Sequence, residues 1–151
     1  MSNKTGKITV DVFITIFAIL SFVRWEGATG FIFHAIVGSV FALLAIVHIA
    51  LNRQWIAGVT KQLLAGKANK KAKPLYITSM ILIAIWGIAI ASGFLAIPWF
   101  VNGRETFYPF SRIHAVSSRI GAVFILVHIY QHLGHIRSYM GINKKPEKQP
   151  P

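Results

Sequence analysis

Two apolar segments share one pattern. Phe33–Ile49, FHAIVGSVFALLAIVHI, and Ile113–Ile129, IHAVSSRIGAVFILVHI, each carry a histidine near the start and a second one fourteen residues later. An α-helix turns about 100° per residue, so fourteen residues fall about 40° short of four full turns. His34 and His48 therefore share one helix face, and so do His114 and His128. The same fourteen residues rise about 21 Å. Two such helices offer imidazoles at two levels, which is what two metal macrocycles held one above the other require.

The rest of the chain says what surrounds those helices. Of 151 residues, 54% are hydrophobic and only 13% charged, unlike a soluble globular chain. The length allows one domain, expected over residues 1–142. Apolar runs at about 8–25, 31–51, 75–97 and 110–133 are each long enough to cross a bilayer. The expected fold class is all-α, an integral membrane four-helix up-and-down bundle with two stacked b-type haems. Residues 24–30 read as a short turn. Between the second and third runs, Trp55, Ile56, Val59, Leu63 and Leu64 recur at helical spacing among polar residues, which predicts an amphipathic helix lying on the membrane surface. A lysine-rich loop follows over 66–74. Pro98 is expected to stop the third span, and Trp99–Pro109 to form a compact loop. The tail 143–151, rich in Lys and Pro, is expected to be disordered. Asp11 interrupts the first run and no A-x-A site follows it, so no cleavable signal peptide is expected.

The cations set the orientation. Lys4, Lys7, Arg53, Lys61, Lys67, Lys70, Lys71, Lys73, Arg137, Lys144, Lys145 and Lys148 fall on one side of a four-span topology; Arg24, Arg104 and Arg112 fall on the other. By the positive-inside rule both termini are cytoplasmic, in a membrane of the bacterial inner-membrane type. The net charge of +12 is thereby read as topology and contact with anionic lipid, not as a nucleic-acid footprint.

Topology then pairs the histidines. The second and fourth spans run in the same direction. His34 and His114 would meet near the outer surface as ligands of one haem iron, and His48 and His128 near the cytoplasmic surface as ligands of the other. Two neutral imidazoles close a six-coordinate site, which suits electron transfer and not oxygen binding. With no cysteine in the chain, covalent c-type haem, iron–sulfur clusters and thiolate zinc are excluded. No dinucleotide or P-loop motif is present. Gly121 lies midway between His114 and His128, and Phe41 midway between His34 and His48. A glycine facing an aromatic can fill the gap between two macrocycles. Gly38, Ser117 and Ser118 leave room for a porphyrin near the backbone.

Simpler readings exist for each feature. A lone histidine in a span is often a packing or proton-path residue, and small residues often mark helix packing. The duplicated spacing tips the balance, because buried imidazoles without partners are costly in hydrocarbon. Arg24, Arg104 and Arg112 can pair with outer haem propionates or with Glu26 and Glu105. Arg53, His132 and His135 can do the same at the inner level or line a quinone pocket. His132, one turn past His128, reads better as an interfacial residue. Arg119 points away from the ligand face and has no evident partner. Trp25, Trp55 and Trp99 fit an interfacial belt, and Trp86 fits packing.

At this point the chain resembles the flavinylation-associated cytochromes, small four-span proteins with two b-type haems. The resemblance rests on the two H-x13-H pairs, on LNRQWI after the second span and on ASG near the end of the third. It covers about Ile8 to Arg137. The histidine spacing is also similar to that in cytochrome b of quinol-oxidising complexes. The superoxide-oxidising cytochromes, by contrast, spread their ligands over more helices. The resemblance implies electron transfer across the membrane between a quinone pool and an extracytoplasmic flavoprotein or multihaem cytochrome. Two alternatives stay close: a quinol-linked membrane oxidoreductase, and the haem-bearing anchor subunit of a larger enzyme. A histidine-lined metal transporter is a third, weakened by the lack of carboxylates in mid-span. Oligomeric state is not legible.

Overall fold

The computed structural model describes residues 3–23, 27–101 and 108–139, and these are almost entirely helical. Four helices follow in order: α1 (Asn3–Phe22), α2 (Gly27–Leu64), α3 (Ala72–Val101) and α4 (Tyr108–Tyr139). Each is long and apolar enough to cross a membrane. Arg24, Trp25, Glu26, Arg104, Glu105 and the tail 143–151 lie outside the described residues.

All four helices extend beyond at least one end of the expected spans, and two of the differences have a clear physical reason. The stretch expected to form a separate surface helix after residue 51 is instead a continuation of α2, which runs unbroken to Leu64. Nothing in Asn52–Trp55 breaks a helix, and a change from apolar to amphipathic composition does not by itself end one. The break comes at Gly66, whose φ of +68° is the left-handed conformation that glycine adopts without penalty. Lys67 N–H donates to Gln62 O at 2.8 Å and Gly66 N–H to Leu63 O at 3.1 Å. This paired closure satisfies the carbonyls at the helix end. The second difference is at Pro98, which lies inside α3 and does not stop it. So close to the helix end, the ring removes one backbone bond only, and residues 99–101 of the expected loop belong to α3.

By its contacts the chain divides into two compact units, Met1–Ala68 and Asn69–Pro151. Each is an antiparallel helical hairpin. In the first, Lys7 meets Asn52 and Asp11 meets His48 across α1 and α2. In the second, Gly93 faces His114, Trp86 faces Gly121, and Gln131 donates to Thr78 across α3 and α4.

The packing is inverted relative to a water-soluble protein. The buried residues are few and mostly small: Ala18, Val37, Phe41, Ala42, Val59 and Ala89. Large side chains such as Ile19 (63%), Leu43 (64%), Ile46 (63%) and Leu126 (68%) are exposed. An apolar exterior over a small-residue interior is stable when the solvent is lipid, and is consistent with an integral membrane protein. The hydroxyls agree. Thr15, Ser39, Ser79, Ser92 and Ser117 each donate to a carbonyl one turn back on their own helix. That satisfies them where no water is at hand.

Candidate haem-ligand histidines

The repeated histidine pair occupies the second helix of each hairpin. Within each unit, the first histidine (His34 or His114) lies near the connection between the two helices. The second (His48 or His128) lies toward the opposite end. The duplication seen in the sequence is thus a duplication of hairpins.

His48 and His114 are each held by the preceding helix of their own unit. His48 Nδ1–H donates to Asp11 Oδ1 at 2.7 Å. His114 Nδ1–H donates to the backbone carbonyl of Ala89 at 2.8 Å. A carbonyl and an ionised carboxylate can only accept, so in both rings Nδ1 carries the proton. In a neutral ring the lone pair is then on Nε2, the nitrogen left for a metal. The amide nitrogen of Asn52 lies 3.5 Å from His48 Nε2, at the outer limit of a hydrogen bond. The firm bond from that amide runs to the His48 carbonyl at 2.9 Å, and Lys7 Nζ donates to the Asn52 carbonyl oxygen at 3.2 Å.

Gly93 makes the His114 contact possible. A Cβ built there would stand 2.9 Å from His114 Nδ1 and 3.1 Å from Cε1. Helical Cβ atoms tilt toward the N-terminus, so a side chain at 93 would shield the Ala89 carbonyl one turn back. Ala89 is fully buried at 0% exposure, and Ser92 also donates to its carbonyl at 3.1 Å. The glycine is a cradle for an imidazole oriented through Nδ1, and an imidazole held in this way suits a haem ligand.

The other expected site residues are placed as follows. His128 is partly buried, with the ring of His132 tilted against it at a centroid separation of 4.5 Å. His34 is likewise partly buried. Phe41 is buried, and a Cβ on Gly38 meets nothing within 4 Å. The bare face of Gly121 receives the Trp86 indole, which a Cβ would approach to 3.0 Å, and the methyl of Ile85 at 3.3 Å. Trp86 therefore packs on the residue midway between His114 and His128. Arg53, Arg112 and Arg119 are exposed. Arg112 lines an apolar groove on the second unit together with Ile85, Ile88, Ile113, Val116 and Ile120. Ser118 is partly buried, and Arg24 is outside the described residues.

Asp11, Asn52, Ala89 and Gly93 were not singled out from sequence as site residues. An acid inside an apolar run is itself a signal that a partner exists, and Asp11 carried it. Gly93 was visible only as part of ASG. Its role depends on which face α3 turns toward α4, which no one-dimensional pattern states.

Among the described residues, no three His, Cys, Asp or Glu side chains gather as a metal cluster. A bis-histidine haem asks for two imidazoles only. No family model matches the chain, and neither a curated protein nor a solved structure is similar to it.

Proposed function

We propose that this chain is a transmembrane cytochrome b of the kind the flavinylation-associated cytochromes represent. In this reading His34 and His114 would hold an outer haem, and His48 and His128 an inner one. Haem, when bound, supplies reversible one-electron exchange at its iron. The chain's own contribution is position and environment. His48 and His114 are oriented through Nδ1 so that Nε2 presents a lone pair, and each proposed pair contains one histidine held in this way. Two imidazoles per iron would leave no position for oxygen, a chemistry suited to electron transfer. Gly38 and Phe41 line the second helix near the ligands. Arg112, Arg24 and Arg53 are the cations suited to propionates. The N- and C-termini are cytoplasmic, by the distribution of Lys and Arg.

The observation that carries this reading is the hairpin duplication: the same fourteen-residue histidine spacing recurs on the second helix of both units. A quinone partner enters at the end of the second unit where Gln131 lies. Gln131 Oε1 is buried with no hydrogen-bond donor among the described residues, while its amide nitrogen donates to Thr78. A quinol hydroxyl is a donor of the kind that oxygen lacks. The outer partner would be an extracytoplasmic flavoprotein or multihaem cytochrome. The same Gln131 acceptor would serve if the chain were the haem-bearing anchor of a quinol-linked oxidoreductase.

Vesicles test the function directly. The haem-loaded full chain is reconstituted into liposomes with ferricyanide trapped inside and an impermeant reductant outside. Trapped ferricyanide is expected to bleach, and His34→Ala is expected to slow bleaching to the rate of protein-free vesicles. Bleaching by the unmodified chain no faster than in protein-free vesicles would contradict a transmembrane conduit.

A further inference from the structure

The two histidine anchors differ in charge. His114 gives its Nδ1 proton to a neutral backbone carbonyl, whereas His48 gives its proton to the carboxylate of Asp11. This difference rests on the haem reading above and adds to it an order between the two sites. We propose that Asp11 is the positioning residue of the inner haem, and that its charge makes the inner haem the lower-potential one of the two.

Asp11 is one of only four acidic residues in the chain and lies within the apolar span of α1. A carboxylate in such a span is costly unless paired, which implies a reason for its presence. Its 2.7 Å bond to His48 lies in the charge-assisted range. The bond fixes the tautomer and ring plane of His48. It also draws the Nδ1 proton toward the carboxylate, so Nε2 becomes a stronger electron donor. A more basic axial ligand stabilises ferric over ferrous iron, and the site becomes harder to reduce. The carbonyl of Ala89 orients His114 in the same way, without a net negative charge to contribute.

Lys7 opposes Asp11. It lies one turn before Asp11 on the same face of α1, and its ammonium donates to Asn52, whose amide in turn binds the His48 carbonyl. Its positive charge favours the ferrous state. The two side chains therefore act on the same haem with opposite sign, which a general loosening of the hairpin would not do.

The experiment is a redox titration of the purified haem-loaded chain, followed in the visible α-band and resolved into two one-electron components. Asp11→Asn is expected to shift the reduction equilibrium of the lower component at least tenfold toward ferrous iron, about 59 mV for one electron. The upper component should stay where it was. Lys7→Gln is expected to move the lower component the other way. In His34→Ala, which keeps only the inner haem, Asp11→Asn should shift the single remaining component. An unchanged lower component, or a shift confined to the upper one, overturns the proposal and leaves the cytochrome reading intact. If Asp11→Asn loses a haem, Asp11→Glu must restore it, because the charge is retained; loss in both variants overturns the proposal. A wild-type chain with no Soret band overturns the functional reading itself, a result visible before any titration begins.

Discussion

Alanine at His34 and alanine at His114 are each expected to remove the same haem, halving the haem content of the purified chain. The double variant should lose no more than either single one. The same holds for His48 and His128 with the second haem. The reason is geometric. Histidines of one helix are about 21 Å apart along its axis, too far to hold one iron, so in the proposed reading each iron would draw its ligands from two helices. Removing either ligand then removes the whole site, and the two losses do not add. Haem quantified by pyridine extraction against protein mass checks this. A double variant His34→Ala/His114→Ala devoid of all haem would contradict the pairing. So would a loss shared by His34 and His48.

The second large effect is expected at a residue that touches no iron. Gly93→Val should eliminate the haem held by His114 and spare the other. A valine Cβ would occupy the space 2.9 Å from His114 Nδ1, so the imidazole must swing away and give up the Ala89 carbonyl. The lost hydrogen bond is worth only about 0.5–1.5 kcal/mol, too little to unfold a helical pair. The ligand, however, is no longer aimed. Far-ultraviolet circular dichroism should therefore be unchanged while haem content falls by half. Gly87→Ala on the same helix is the control, because a Cβ there meets nothing within 4 Å and both haems should remain. Full haem occupancy in Gly93→Val would show that the cradle has no bearing on the ligand.

Much of the architecture was legible in the sequence because lipid imposes simple rules. Runs such as Leu75–Ile97 can satisfy their backbone only as helices, and the spacing from His34 to His48 follows from helical pitch alone. What was not legible depended on neighbours. The end of α2 was expected near residue 51, where apolar character fades; the helix continues until Gly66 provides a left-handed turn. Pro98 reads as a stop, but near a helix end its cost is a single bond. Gly121 reads as clearance beside a ligand face, and the structure sets Trp86 against it. Asp11 reads as an interruption and proves to be the hydrogen-bond partner of His48. For Gly121 and Asp11 the residue was noticed, and its partner could be named only once the antiparallel register of the hairpin was known.

Haem content of the purified chain is the most direct measurement. The account predicts that an oxidised-minus-reduced visible spectrum, with pyridine extraction, returns two haem b per chain. A purified, folded chain with no Soret absorbance, and with divalent metal bound in stoichiometric amount instead, would contradict it.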